Sequence, residues 1–241
     1  MVVKSELKLI KSLHQKKYRN EHGLFLVEGK KAVLEIYGSS LKVHKIFVVQ
    51  DQFHPSLGDA SVVVSDRELR QMSALKNPNG VIGVFHIPKP RPIDFKGWTV
   101  ALDDVQDPGN LGTIIRLCDW FGIADLLCSI GSVDCYNPKV LQATMGSIAR
   151  VHLHYGALEE LLPKEDTPIF GAFMDGDTIY GQKLPQRGVL VLGNEGKGIS
   201  AAMDLLCHKR LAIPQYGHQS TESLNVATAA AILLSEIRRN G

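Results

Sequence analysis

The sequence predicts an α/β protein in two parts: a small α/β domain over residues 1–90, a linker at 91–97, and a larger domain over 98–241 built on a parallel sheet. Three observations carry this. Segments of strand character alternate with segments of helical period along all 241 residues, the pattern of α/β architecture. Strands such as "VLVL" (189–192) are apolar without alternation, which suits a parallel sheet covered on both faces. The stretch "PKPRPIDFKG" (88–97) opens with three prolines in five residues, so it cannot continue a sheet and reads as a linker.

In the first part, residues 4–19 read as one basic amphipathic helix with Leu7, Ile10, Lys11 and His14 near one face. "GLFLVEG" follows as a strand, "KKAVLEIYG" as a helix, "VHKIFVV" and "SVVVS" as strands, and "DRELRQMSAL" as a helix with Asp66 near its start. "NGVIGVFHI" precedes the linker. In the second part the order is strand "WTVALDDV", a turn at Asp107-Pro108-Gly109, helix 110–121 with Asn110 as candidate N-cap, strand "ADLLCSI", helix 138–146 and strand "ARVHLHY". Helix, strand, helix, strand and helix complete the chain. Ligands on such sheets sit beyond the carboxyl ends of the strands.

Composition bounds the function. With 44% apolar and 22% charged residues, the chain is an ordinary globular protein with a sizeable core. Net charge is only +2, yet residues 1–31 hold eight Lys/Arg against three acids. A basic head on a near-neutral body suits a polyanion engaged at one end through phosphate contacts, with Lys16, Lys17, Arg19 and Lys30 as candidates. The four cysteines form no CxxC pair, which fits reduced, buried thiols and no zinc site. His152 and His154 alternate on one strand without a third ligand and read as structural, so no metal is expected. The amino terminus lacks the apolar region of a signal peptide and no apolar run has membrane length, so a cytoplasmic protein without a membrane partner is expected.

The most informative stretch is "VLVLGNEGKGIS" (189–200), a buried strand that breaks into a glycine loop. Gly196 to Ala201 fits the loose dinucleotide fingerprint, but Glu195 would face a pyrophosphate with the wrong charge, and no acid stands about 20 residues on. A phosphate-binding Walker loop fails too, because Gly198 follows Lys197. Two other loops carry polar residues at helix starts: "DPGNLGTIIR", with Asn110 and Arg116, and "IPQYGHQSTESLNVATAAAIL", with Ser223 and Asn225.

Together these segments, in this order, resemble the three motifs of the SpoU family of RNA ribose 2′-O-methyltransferases within the SPOUT superfamily. The resemblance spans 98–241 and includes "NPKVLQATMGSIARV"; segment 16–36 resembles the small RNA-binding domain that precedes many members. It implies a knotted (trefoil) parallel-sheet domain that binds S-adenosylmethionine and works as a homodimer. The cofactor would lie against Leu192, Gly193, Asn194, Gly196, Gly198, Ile213, Pro214, Gln215, Ser223, Leu224 and Asn225. Asn110, Arg116, Glu195, Ser223 and Asn225 would form the catalytic set, with Glu195 facing Arg116. Ribosomal RNA is the favoured substrate, with transfer RNA methylation or a non-catalytic RNA-binding assembly role as alternatives; the glycine loop alone leaves a nicotinamide-dependent dehydrogenase as the rival enzyme. Two departures from the family pattern are a loop at 218–222 about two residues longer than usual and Gln142 in place of an arginine. Small residues Ala227, Ala230 and Ala231 beside Leu234 offer a stripe for close helix packing at a subunit interface.

Overall fold

A computed structural model describes residues 2–49, 57–164, 166–217 and 223–239. In chain order the first stretch forms α1 (Lys4–Ser12), α2 (Lys16–His22), β1 (Leu24–Glu28), α3 (Lys30–Tyr37), β2 (Val43–Val48), β3 (Ser61–Val63), α4 (Asp66–Met72) and β4 (Val81–His86). The second forms β5 (Trp98–Asp103), α5 (Pro108–Trp120), β6 (Asp125–Ser129), α6 (Pro138–Thr144), β7 (His152–Gly156), α7 (Leu158–Leu161), β8 (Ile169–Thr178), β9 (Gly188–Gly193), α8 (Ala201–Asp204), β10 (Lys209–Ala212) and α9 (Val226–Arg239). These elements fall into two compact units, residues 1–90 with 134–149, and residues 91–133 with 150–241. The sequence reading kept 134–149 with the second part; local pattern does not say which sheet a helix will cover.

The first unit is built on a sheet of order β1-β4-β2-β3, antiparallel except for the β2–β3 pair. The single helix expected over 4–19 is two, separated by Leu13, His14 and Gln15. Leu13 is buried and its carbonyl accepts a hydrogen bond from Arg19 Nη1 at 2.8 Å, so the chain turns there to bury an apolar side chain. Ile10, Leu13, Leu26, Phe47, Leu69 and Ile82 share the core. A reciprocal capping box between Ser65 and Glu68 starts α4. Segment 134–149 joins through Tyr136, whose ring lies 4.6 Å from that of Phe25, and Asp134, which pairs with Arg19.

The second unit carries a six-stranded sheet of order β10-β8-β9-β5-β6-β7, parallel at every pairing. All six residues of β5 are buried, as the unalternating apolar strands predict. The structure departs from the expected order in one place: β8 and β9 follow one another without a helix between them. Against β10 the β8 ladder jumps, Arg210 lying opposite Gly171 and Leu211 opposite Asp177. At the amino end of β6, Asp125 is held by His154 at 2.7 Å and by Arg91 at 2.8 Å, which gives one strand histidine a structural partner. Cys118, Cys128 and Cys135 are buried thiols, and partial burial pushes Cys207 up to about 11.

Helix α9 packs on α5. Ala227, Ala230 and Leu234 are buried within the single chain, so most of the small-residue stripe serves packing inside this unit. This corrects the expectation that the stripe waits for a second subunit.

Candidate active site

Strand β9 delivers Gly193 to the carboxyl edge of the sheet, and the chain folds back on itself there. Asn194 and Gly198 exchange backbone hydrogen bonds of 3.0 and 2.9 Å. The return is so tight that a Cβ on Gly193 would stand 2.2 Å from the Gly198 carbonyl carbon. Glycine is required there by the loop's own backbone, before any ligand is considered. The Asn194 side chain pins the loop twice: Oδ1 accepts from the backbone of Gly196 (2.9 Å) and Lys197 (3.0 Å), and Nδ2 donates to the Asp104 carbonyl (2.7 Å).

The neighbouring strand β5 ends in two acids that hold this loop from the other side. Asp103 is buried and accepts from the Ser200 amide at 2.7 Å, and Ser200 caps α8. Asp104 adopts a left-handed backbone (φ 61°), its amide donating to Ser129 Oγ at 2.8 Å. Gly131 faces the Asp104 carboxylate, whose flexible end a Cβ at that position would displace. The sequence reading passed over both acids. The visible signal was "ALDDV", two carboxylates at the end of an otherwise apolar strand.

Helix α5 begins earlier than expected. Asp107, not Asn110, is the N-cap; it accepts from the Asn110 amide at 2.8 Å, with Pro108 in the first helical turn. This corrects the assignment of Asn110 as a cap and frees its carboxamide for a longer task. Asn225 Oδ1 accepts from the amides of Ala227 (2.9 Å) and Thr228 (3.2 Å) at the start of α9. Its Nδ2 therefore donates, to Asn110 Oδ1 at 2.8 Å, and Asn110 Nδ2 donates in turn to Glu195 Oε1 at 2.7 Å. Because each amide has one donor end and one acceptor end, the backbone of α9 dictates the orientation of the whole relay. The relay requires an acceptor at its far end, which the Glu195 carboxylate supplies.

Glu195 thus bonds Asn110, and among the described residues it makes no ion pair with Arg116. Arg116 lies on α5 six residues beyond Asn110, roughly 9 Å further along the helix. Its side chain is exposed and, among the described residues, has no hydrogen-bond or ion-pair partner. Leu192 is buried under the loop; Ile213 and Pro214 are half-buried at the end of β10; Gln215, Ser223 and Leu224 are exposed. His218 to Thr221 and Glu222 lie outside the described residues. Of the basic candidates, Lys16, Lys17 and Lys30 are exposed, whereas Arg19 is only 4% exposed and bonded to Leu13 and Asp134. Its guanidinium is committed inside the first unit, which removes Arg19 from the RNA-binding set.

The SpoU rRNA Methylase family model matches residues 97–235. The chain belongs to that family. Residues 4–83 match a second model, the MRM3-like substrate binding domain. Among SpoU relatives, the 23S rRNA (guanosine(2553)-2′-O)-methyltransferase RlmP of Bacillus subtilis is 33% identical over 240 residues, covering 95% of this chain and 94% of that protein. A TrmH-family RNA methyltransferase structure from Porphyromonas gingivalis has a TM-score of 0.90 at 36% identity, covering all of both chains. An AdoMet-bound rRNA methyltransferase from Sinorhizobium meliloti has a TM-score of 0.84 at 26% identity, covering 99% of this chain and 97% of that one. In this SpoU chain the loop, the relay and Arg116 derive from three separate sequence motifs, and the fold brings Asn110, Glu195 and Asn225 into one bonded chain.

Proposed function

We propose that this protein methylates a ribose 2′-hydroxyl of ribosomal RNA with S-adenosylmethionine as methyl donor. The observation that carries the reading is the Glu195–Asn110–Asn225 relay beyond the carboxyl edge of a parallel sheet, in a chain that spans nearly all of a relative named for 23S rRNA 2′-O-methylation.

The residues present fit the cofactor. Its sulfonium is cationic and its adenosine carries no phosphate; correspondingly, the loop offers the Glu195 carboxylate where a dinucleotide site would need anion-binding groups. Ile213, Pro214 and the 46% exposed Leu224 supply apolar surface for adenine and the methionine chain, with the Leu192 side chain buried beneath them. Gly193, Asn194, Gly196, Gly198, Gln215 and Ser223 supply backbone and polar groups around it. When bound, the cofactor supplies an electrophilic methyl group, and no metal is needed for its transfer.

The chain's own residues do the rest. The relay holds Glu195 and Asn225 in fixed geometry, a preorganisation that costs nothing at the moment of reaction. Arg116 is unspent, and its guanidinium holds the phosphate beside the target ribose and stabilises the oxyanion that develops at the 2′-oxygen. It does not act as a base, because a guanidinium keeps its protons in proteins. Lys16, Lys17 and Lys30 contact RNA backbone elsewhere. The last loops form the trefoil knot implied by the family resemblance. The protein works as a homodimer in the cytoplasm, and Trp120, 84% exposed at the end of α5, is a side chain that such an interface would cover.

Titration calorimetry with S-adenosylmethionine and with NAD, together with mapping of 2′-O-methyl groups in 23S rRNA from cells with and without the gene, tests this. Binding of the first cofactor and loss of one ribosomal methyl group are expected. NAD binding alone, or an unchanged ribosomal map beside a lost transfer RNA methyl group, overturns it.

A further inference from the structure

The first unit holds a cavity of about 440 Å³ that the site above does not use. Its walls are apolar, formed by Leu26, Leu75 and Leu141. Its polar groups are unevenly satisfied. Glu28 commits both carboxylate oxygens within the chain, to Ser73 Oγ and to the Ala74 amide. Asn137 uses only Oδ1, which accepts from the Lys139 amide at 2.9 Å; its Nδ2 has no partner among the described residues. Gln142, also lining the cavity, is exposed with neither end of its amide bonded among them.

His14 also lines the cavity. Its Nε2 lies 2.8 Å from the Met72 carbonyl, and a carbonyl can only accept, so Nε2 bears the proton. In the neutral ring that leaves Nδ1 as an acceptor, and it is buried without a partner. That nitrogen has almost no accessible surface, so His14 lines the slot through its other atoms. An apolar slot edged by the free Asn137 Nδ2 and by both ends of the Gln142 amide matches the mixed donor and acceptor edge of a nucleobase. The volume lies in the range of small-ligand sites and accommodates a nucleoside but no duplex. Lys139 is exposed at the same cavity and can meet a phosphate.

We propose that this cavity takes one unpaired nucleotide of the RNA substrate, reading its base edge with Asn137 and Gln142 while Lys139 contacts the adjoining phosphate. The inference rests on the ribosomal RNA reading for the source of the nucleotide and on the cavity alone for its chemistry. Gln142, a departure from the family pattern, then becomes a base-reading position.

The test uses the full chain. Ala74→Phe, at an exposed residue lining the cavity, fills the slot, while Gln142→Ala and Lys139→Ala alter exposed side chains that the fold does not need. Affinity for in-vitro-transcribed 23S rRNA is read by filter binding, and amide shifts are followed by NMR as AMP, GMP, CMP and UMP are added. Ala74→Phe is expected to weaken 23S rRNA binding about tenfold and to abolish mononucleotide shifts near His14, with circular dichroism and S-adenosylmethionine affinity unchanged. Gln142→Ala should weaken the preferred base selectively; Lys139→Ala should weaken all four alike. Unaltered 23S rRNA affinity in both Ala74→Phe and Gln142→Ala overturns the proposal. So does micromolar binding of a free mononucleotide with RNA affinity untouched, which would assign the cavity to a soluble effector. Wild-type methylation of the same transcript, measured in parallel, fails separately if the parent reading is wrong.

Discussion

Arg19 and Arg116 carry the same guanidinium, and the sequence offered one to RNA and the other to catalysis, yet the structure holds them in opposite states. Arg19 is buried, with Nη1 on the Leu13 carbonyl and Nη2 on Asp134. Arg116 projects from α5 with no partner among the described residues. A buried guanidinium that has traded water for fixed acceptors is a structural element, because withdrawing it would strand Asp134. A solvated, unpaired one has little to give up when a phosphate arrives. Charge alone locates neither role; the state of the partner atoms does.

The largest effect that would break this comparison is on turnover. Arg116→Ala should lower methyl transfer by about 10²–10³-fold, the scale of a lost charge-stabilising donor, leaving S-adenosylmethionine affinity and unfolding midpoint unchanged. Single-turnover assays with calorimetry check it, and near-normal turnover would remove Arg116 from the mechanism. Arg19→Ala should do the reverse, costing about 3 kcal/mol in urea unfolding while activity per folded molecule persists. A stable Arg19→Ala protein with weakened RNA binding would restore Arg19 to the interface.

Within the active site the same contrast can be sharpened. Asn110→Ala and Glu195→Ala both cut the relay, and a double-mutant cycle between them should return a coupling of about 1 kcal/mol in cofactor affinity. Glu195→Gln can still accept from Asn110, so it separates geometry from charge: retained geometry with reduced affinity would show that the carboxylate acts on the sulfonium. The smallest effects belong to the exposed lysines. Lys16→Ala or Lys17→Ala should each reduce the salt slope of RNA binding by about 1, with cofactor affinity untouched.

The strands were legible because their apolar runs are long and unalternating; "VLVL" and "TVALD" lie in the two strands that flank the site. The relay was legible only as a set of residues, through the family resemblance. Its order was not, because the cap at Asp107 was read as part of a turn, which put Asn110 at the helix start as a cap, and nothing in the local pattern linked its carboxamide to Glu195 and Asn225. Asp103 and Asp104 were missed because their partners lie about 90 residues or more away in sequence, the Asp103 carboxylate accepting from the Ser200 amide and the Asp104 backbone carbonyl from the Asn194 side chain, and no local period records such a contact. Burial of Arg19 depends on Asp134 in the same way.

Segment 134–149 also fixes an order of events in time. The first unit cannot pair Arg19 or cover the Phe25 ring with Tyr136 until residues 134–136 emerge from the ribosome, by which point β5, α5 and β6 have emerged as well. A nascent chain of 90 residues would hold a desolvated guanidinium without its carboxylate, so the basic head cannot settle as a finished domain ahead of the rest. The loop that must close is more than a hundred residues long, between Arg19 and Asp134, and its closure entropy rises only slowly with length. The delay therefore costs folding rate more than stability, and it couples maturation of the first unit to synthesis of the leading stretch of the second.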